Sequence, residues 1–278
     1  MVTKQDVKAA AEKLGVKPGD SVLVHSSFKS LGPVENGAGT VVAGFLEAVG
    51  EEGTLIFPTL SSNDWYNLYK NWTPDTPSDV GYLTNYFRQL PEARRSHQPT
   101  HSVAAIGKDA EYLTKSHGQR GRRFGTYGNT PFAKDSPWEK MYKMNTKMIF
   151  LGIPITKCTM RHYVEYCFVN DKLDWARDMA RTRAEYEAIR DQIWYFGRGF
   201  GMWPHIQAPY VLERLDELGK PRRVQCGNAE LLMVEAKDFA DMAYSLMEQR
   251  DKKVFQVMGG KFADPFLWLE DLDKLNDR

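Results

Sequence analysis

The stretch that decides the fold is residues 147–165, KMIFLGIPITKCTMRHYVE, in which an apolar run is followed by a polar segment. The apolar run stops at Pro154, which predicts a short buried strand. If a helix begins near Thr159, His162 and Glu165 share one face of its first turns. A carboxylate in that position can orient an imidazole as a general base near neutral pH. Taken alone, such a pair is more often a surface ion pair or a capping arrangement.

Composition limits the class of protein. The chain has 278 residues, enough for one large α/β domain or two small ones, and 42% of them are hydrophobic. A formal net charge of +1 favours neither nucleic acid nor a membrane surface as a partner. Cys158, Cys167 and Cys226 show neither metal-ligand spacing nor a disulfide pattern, and the charged N-terminus is unlike a signal peptide. We therefore expect a cytoplasmic protein with no metal, no nucleic acid partner and no membrane partner.

Strands and helices alternate along the first part of the chain, which predicts an α/β fold. Short strands are expected at residues 21–25, 54–57, 102–106 and 147–153. Gly227-Asn228 predicts a hairpin turn nearer the C-terminus. No linker or repeat is visible, so we expect a single layered domain over residues 1–278, with a central, mostly mixed sheet flanked by helices. The aromatic, Pro-rich segment 61–79 is expected to be an inserted loop over the site.

Four segments lie at or just beyond predicted strand ends, where open α/β sheets build their sites. They are residues 25–32, 95–103, 128–137 and the segment of His162 and Glu165. Each has a plainer interpretation, because hydroxyl-rich loops are often only turns and Ser136-Pro137 is also a good helix start. Taken together, hydroxyl and backbone N–H donors after strands are what a pantetheine arm and a pyrophosphate need.

Several short blocks within and beside these segments follow one another in a recognisable order. They are Val24-His25-Ser26-Ser27 with Leu31-Gly32, Gly53-Thr54-Leu55 with Pro58-Thr59, Arg95-Ser96 with Pro99-Thr100-His101-Ser102-Val103-Ala104, Asp135-Ser136-Pro137, and Thr159 with His162 and Glu165. In order and approximate spacing these blocks resemble the aminoglycoside 3-N-acetyltransferases. The hairpin at residues 224–229 also resembles the C-terminal part of that family, so the resemblance covers nearly the whole chain and implies that family's fold.

The resemblance implies an acyl-CoA-dependent N-acyltransferase that forms a ternary complex, with no acyl-enzyme and no metal. The implied partners are acetyl-CoA, as the default acyl donor, and a small-molecule amine, with aminoglycosides first; a homodimer is one assembly compatible with the sequence. Carried over residue by residue, His162 would be the general base, Glu165 its orienting partner and Thr159 a hydroxyl near the thioester carbonyl. The residues implied to hold CoA are Ser26, Ser27, Phe28, Lys29, Ser30, Leu31, Gly32, Thr100, His101, Ser102, Val103, Phe132 and Ser136.

Two features depart from that family's pattern. Gln98 stands before Pro99 where the family usually has His, and a His lies one place earlier, at position 97. The near-zero net charge also differs from the acidic character that suits a polycationic substrate. Acidic residues that could still line a site are Asp64, Asp79, Asp171 and Asp174. The alternatives are acylation of another amine-bearing natural product, or a degenerate family member that serves as a binding module.

Overall fold

The computed structural model describes residues 1–61, 71–117, 119, 130–194, 203–255 and 266–277. Within these ranges the chain forms an α/β structure in which helices cover a mixed sheet, which confirms the predicted fold class. Trp65, Tyr66 and Tyr69 of the expected loop lie outside the described residues, as does Asp64. None of the helices described has the length and apolar character needed to cross a bilayer.

The strands pair into one sheet within the described part of the chain. They are β1 (Ser21–Ser26), β2 (Thr54–Pro58), β3 (Arg94–Arg95), β4 (Val103–Gly107), β5 (Lys147–Leu151), β6 (Arg222–Cys226) and β7 (Ala229–Glu235), arranged in the order β3-β4-β2-β1-β5-β7-β6. β1 is parallel to β2 and β5, whereas β4 runs antiparallel to β2 and β7 antiparallel to β5. The C-terminal ends of β1, β2 and β5 therefore meet the start of β4 at one edge of the sheet.

Helices occupy both sides of this sheet. They are α1 (Lys4–Lys13), α2 (Ala38–Val49), α3 (Tyr82–Phe87), α4 (Ala110–Thr114), α5 (Pro137–Lys143), α6 (Met160–Met179), α7 (Arg183–Trp194), α8 (Ala208–Glu217), α9 (Ala236–Glu248) and α10 (Phe266–Asn276). Two helix starts follow directly from the sequence. Thr3 and Asp6 form a reciprocal capping box on α1, and Ser136 caps α5 by accepting the Glu139 N–H.

Each face of the sheet is buried against a hydrophobic layer. Leu23 and Phe150 belong to the layer that contains Trp138 of α5, whereas Val22 and Ile149 face the layer of α1 and α2. Because both faces are covered, the central strands are continuous apolar runs rather than alternating ones. Close packing on both sides fixes the strand ends, and these ends carry the polar residues of the site.

Candidate active site

A cleft of about 520 Å³ opens at the edge where β1 and β2 end and α6 begins. His25 and Ser26 of β1 line it, together with Asp79 and residues from Ile153 to His162. A second cavity, of about 390 Å³, lies between α6, α9 and α10, and the charged side chains there include the pairs Lys172–Glu248 and Arg250–Asp273. Only the first cavity contains the predicted imidazole, so we take it as the candidate active site.

The connection from β5 to α6 brings His162 to this cleft. After Leu151 the chain turns at Gly152, whose φ is +60°, and a Cβ built there would lie 1.8 Å from Ser30 Oγ. Glycine is therefore required both by the backbone conformation and by the close approach of the neighbouring loop. One 3-10 turn, Ile155–Lys157, follows Pro154, and α6 begins at Met160. His162 thus lies in the first turn of a 20-residue helix.

The hydrogen bond expected from the i, i+3 spacing is present. His162 Nδ1 donates to Glu165 Oε2 at 2.8 Å, and 27% of the His162 side chain is exposed whereas the Glu165 side chain is fully buried. Because Nδ1 is bound to the carboxylate, Nε2 is the nitrogen left to exchange a proton with a ligand. The geometry suits a general base, and that role of His162 remains a prediction.

Glu165 is held by donors that the sequence did not reveal. Trp203 Nε1 donates to Oε2 at 2.9 Å, the Ile206 N–H donates to Oε1 at 2.8 Å, and His205 Nδ1 lies 3.7 Å from Oε2. Burial alone would raise the pKa of the Glu165 carboxyl, but the charges and hydrogen bonds of His162 and His205 hold it well below its ordinary value. Glu165 is therefore a buried anion that fixes the ring of His162.

His25, at the end of β1, supports the start of α6. Its Nε2 accepts the N–H of Thr159 at 3.2 Å, and burial lowers its pKa to about 4, so the ring is neutral near pH 7. Thr159 precedes α6 as its N-cap and lines the cleft, but its hydroxyl makes no capping hydrogen bond. The predicted contact of the Thr159 hydroxyl with a thioester remains a prediction.

The segment before β4 brings a second histidine to His162. His101 Nδ1 donates to Thr100 Oγ1 at 2.8 Å, and the ring centroid of His101 is 5.9 Å from that of His162. Burial first, and then the charge of His162, place the pKa of His101 well below its ordinary value. Phe132 lies against both rings, with centroids 4.8 Å from His101 and 5.8 Å from His162. His101 and Phe132 thus lie beside the ring of His162, and Thr100 holds the ring of His101.

Gln98, which stands where the family usually has His, has a structural role in this chain. Its Oε1 accepts the His101 N–H at 2.5 Å and the Thr100 hydroxyl at 3.1 Å, so the amide organises the turn that presents His101. Ser102 is fully buried and donates to the Thr59 carbonyl at 2.9 Å, and Val103 is buried in the sheet. Neither of these two lies among the residues that line the cleft. Their expected role in holding CoA is untested.

The predicted CoA loop at 26–32 divides into exposed and structural residues. Ser26 lines the cleft, Lys29 is exposed and Phe28 packs against Tyr82 with centroids 5.3 Å apart. The others hold the loop: Ser30 Oγ donates to Ser27 O at 2.6 Å, Leu31 is buried, and Gly32 lies against Asn228. Ser136 is also buried as the cap of α5. Any contact of these residues with CoA remains a prediction.

His162, Glu165 and His205 form the one group of potential metal ligands found in the described ranges, with ligand atoms within 4.8 Å of one another. The Glu165 carboxylate, however, already accepts three N–H donors, from His162, Trp203 and Ile206. These hydrogen bonds satisfy the buried anion, so the arrangement does not require a cation to hold it together.

Buried neutral histidines predict that acid destabilises the fold. Burial lowers the pKa of His25 to about 4 and that of His117 to about 3. Below about pH 6.5 these histidines bind protons in the unfolded chain but stay neutral in the folded protein. The free energy of unfolding therefore falls by up to about 1.4 kcal/mol per pH unit for each ring. Full stability is expected above pH 6.5, with a progressive loss down to about pH 4. Urea unfolding at pH 7.5, 6 and 5 measures this loss.

A histidine pair separates this effect from general acid sensitivity. His117 lies between Ser96 Oγ and the Pro131 carbonyl, at 2.8 Å from each, whereas His97 is exposed. We expect His117→Gln to flatten the pH dependence while lowering stability, and His97→Gln to leave the dependence unchanged. A free energy of unfolding that does not vary between pH 7.5 and 5 in the unsubstituted protein would contradict this account.

The fold and the site define a class: an α/β protein with a buried carboxylate and an imidazole where its parallel strands end. A model of the aminoglycoside 3-N-acetyltransferase family matches residues 23–248, and the chain belongs to that family. This finding confirms the resemblance seen in the sequence blocks.

Individual relatives agree with the family assignment. Aminoglycoside N(3)-acetyltransferase III of Salmonella sp. is 35% identical over 182 residues, a match of 59% of this chain and 60% of the relative's length. A crystal structure of aminoglycoside acetyltransferase AAC(3)-IIb, 26% identical, covers 90% of this chain and 97% of its own with a TM-score of 0.65. AAC-IIIb in a binary complex with CoASH, 19% identical, covers 93% and 99% with a TM-score of 0.66. The last similarity concerns the fold alone.

Proposed function

We propose that this chain is an acetyl-CoA-dependent N-acetyltransferase in which His162 is the general base. The observation that carries the proposal is the 2.8 Å hydrogen bond from His162 Nδ1 to the buried Glu165, at the wall of the cleft. This pair fixes one tautomer and leaves Nε2 to face a substrate. The three donors around Glu165 keep this carboxylate charged beside the imidazole, which favours base catalysis over a binding module.

The proposed reaction is a direct transfer within a ternary complex. The acceptor nitrogen, as a neutral amine, attacks the thioester carbonyl of acetyl-CoA and forms a C–N bond. His162 Nε2 takes a proton from that nitrogen as the C–S bond breaks, and the imidazolium returns the proton to the departing thiolate. Donors at the start of α6, including the Thr159 hydroxyl, are placed to stabilise the oxyanion.

The co-substrate site is proposed on the edge formed by residues 26–32, 100–103, Phe132 and Ser136. Its support is the position of Ser26 in the cleft and the ring of His101 beside His162. All three cysteines are free thiols, which suits a reducing compartment. We therefore propose that the enzyme is cytoplasmic. We also propose that residues 1–278 act as a single domain.

The acceptor is proposed to be an amine of an aminoglycoside, since relatives carry that name, with another amine-bearing natural product as the alternative. Of the aromatic side chains in the expected loop at 61–79, Trp72 is the one that lies within the described residues. Trp72 is buried, and the guanidinium of Arg95 lies 5.2 Å from its ring centroid, so that face is already covered. Asp79, at the end of the same segment, does line the cleft.

A thiol-release assay tests the function. Acetyl-CoA is offered with a panel of amines that includes 2-deoxystreptamine aminoglycosides and mono-amines, and mass spectrometry locates the added acetyl group on nitrogen. Acetyl-CoA without an amine is the blank. If no amine releases thiol from a preparation that binds CoA, the acetyltransferase assignment fails. Acetylation of a mono-amine alone would leave the reaction standing and reject the antibiotic as acceptor.

We expect a chelator to leave the activity unchanged, because base catalysis and positioning suffice for attack on a reactive thioester. The measurement is the acetylation rate before and after dialysis against EDTA, with zinc added back to one sample. Added zinc is expected to inhibit, since it would compete for His162, Glu165 and His205. Activity that disappears with EDTA and returns with zinc would show that the reaction depends on a metal.

A further inference from the structure

The described lining of the cleft carries more positive than negative charge. Arg161 and Lys157 lie on it, and Asp79 is its carboxylate in the ranges described. Lys157 is exposed at the turn before α6, and Arg161 is half-buried in the first turn of that helix. The N-terminus of a 20-residue helix adds its own positive potential at the same place. Among the described residues, Lys157, Arg161 and the helix N-terminus together offer more contacts to an anionic group than Asp79 offers to a cationic one.

Arg161 differs from Arg223 because no carboxylate of the described residues is paired with it. Its hydrogen bond within the described part of the chain is a long one, from Nη1 to the Ile206 carbonyl at 3.5 Å, and its buried Nε has no hydrogen-bond partner there. By contrast, Arg223 makes two bonds of 2.7 Å to Asp216. A guanidinium carries five N–H donors, so a buried one that uses a single weak contact has donors available for an anionic ligand.

Arg161 lies close to the pair formed by His162 and Glu165. Ile206 donates its N–H to Glu165 at 2.8 Å and offers its carbonyl to Arg161 at 3.5 Å. Since the N and O atoms of one residue are close together, Arg161 Nη1 lies at most about 10 Å from Glu165 Oε1. Arg161 directly precedes His162 and both line the cleft, so an anion bound by Arg161 would share that cleft with an amine that His162 deprotonates.

We infer that the acceptor carries an anionic group, a carboxylate or a phosphate, a few bonds from the amine that is acetylated. Arg161 binds this group through its guanidinium, and Lys157 adds positive charge at the opening of the cleft. The inference rests on the proposed acetyltransferase function and, of its two candidate acceptors, favours the other amine-bearing natural product over the polycationic aminoglycoside. The phosphates of CoA offer the same chemistry, but the long pantetheine arm separates them from the thioester.

Matched acceptors test this inference. Glucosamine 6-phosphate is compared with glucosamine, and 4-aminobutyrate with butylamine, by kcat/KM at saturating acetyl-CoA. We expect the acidic member of at least one pair to be preferred by about tenfold or more, as a charge-assisted hydrogen bond provides. Arg161→Gln should remove that preference, Arg161→Lys should keep part of it, and the Kd of CoA should change less than about twofold.

The control variant is Arg177→Gln, on the same helix but paired with Asp174 at the surface, which should leave the preference unchanged. Binding of the acidic amines to the CoA-loaded protein, measured by calorimetry, provides a readout that does not need turnover. Arg161-dependent binding of the acidic amines without acetylation would defeat the proposed function and leave Arg161 as an anion-binding residue of the cleft. Preference for neutral or polycationic acceptors would overturn the inference, as would an Arg161→Gln variant whose main loss is affinity for CoA.

Discussion

His162→Asn is expected to lower the rate of acetyl transfer by about two to four orders of magnitude, as loss of a general base does. Asparagine can still donate an N–H to Glu165, so the buried carboxylate keeps a partner while the proton acceptor in the cleft is lost. The affinity for CoA should hardly change. Steady-state kinetics at saturating acetyl-CoA give kcat, and calorimetry gives the Kd of CoA.

The matched control is His97→Asn, since His97 is exposed and lies outside the cleft lining. That variant should retain nearly full turnover. Circular dichroism and the midpoint of urea unfolding must show that both variants are folded. Near-normal turnover in a folded His162→Asn protein would remove His162 from the mechanism, and a large loss of CoA affinity would reassign it to binding.

The fold was predictable because its strands are short, apolar and bounded by turn residues. The Gly227-Asn228 turn lies between β6 and β7 as expected, and the predicted strand at 102–106 is β4, at Val103–Gly107. α8 and α10 were not predicted from the sequence. Their positions are set by packing, since Leu215 of α8 and Trp268 of α10 are buried in the same hydrophobic layer as α6.

Local spacing revealed one half of the site and could not reveal the other. His162 and Glu165 are three residues apart on one helix, so a periodicity argument finds them. Trp203 and Ile206 reach the same carboxylate from 38 and 41 residues further along the chain, and no local pattern reports such a contact. The available signal was His205, two residues after Trp203, and a single histidine indicates a site only once the tertiary contact is known.

Hydroxyl groups at strand ends proved ambiguous for a physical reason. The donors and acceptors that suit a ligand also suit the protein's own backbone. The Ser102 hydroxyl donates to the Thr59 carbonyl, and the Ser136 hydroxyl accepts the N–H of Glu139. Among the acidic candidates, Asp79 lies in the cleft, whereas Asp171 accepts from Tyr244 and Asp174 pairs with Arg177. Residue type alone could not separate these cases.

Glu165→Gln is expected to lower kcat/KM by about one to two orders of magnitude, less than loss of the base itself. The amide keeps the shape of the side chain but removes the charge that favours the protonated imidazole. The acid limb of the pH profile of kcat/KM should therefore move to lower pH while its plateau falls, because a weaker base titrates lower and accepts protons less readily.

Stability should fall together with activity, for a reason visible in the hydrogen bonds of Glu165. Three N–H groups converge on its two oxygens, so an amide nitrogen at either position meets a donor and leaves a buried group unpaired, at a cost of about 1–3 kcal/mol. Urea unfolding measures this cost, with Glu187→Gln as the control, since Glu187 pairs with Arg183 at the surface of α7. An unchanged pH profile with reduced stability would make Glu165 a structural residue; a shifted profile would show that its charge acts on the base.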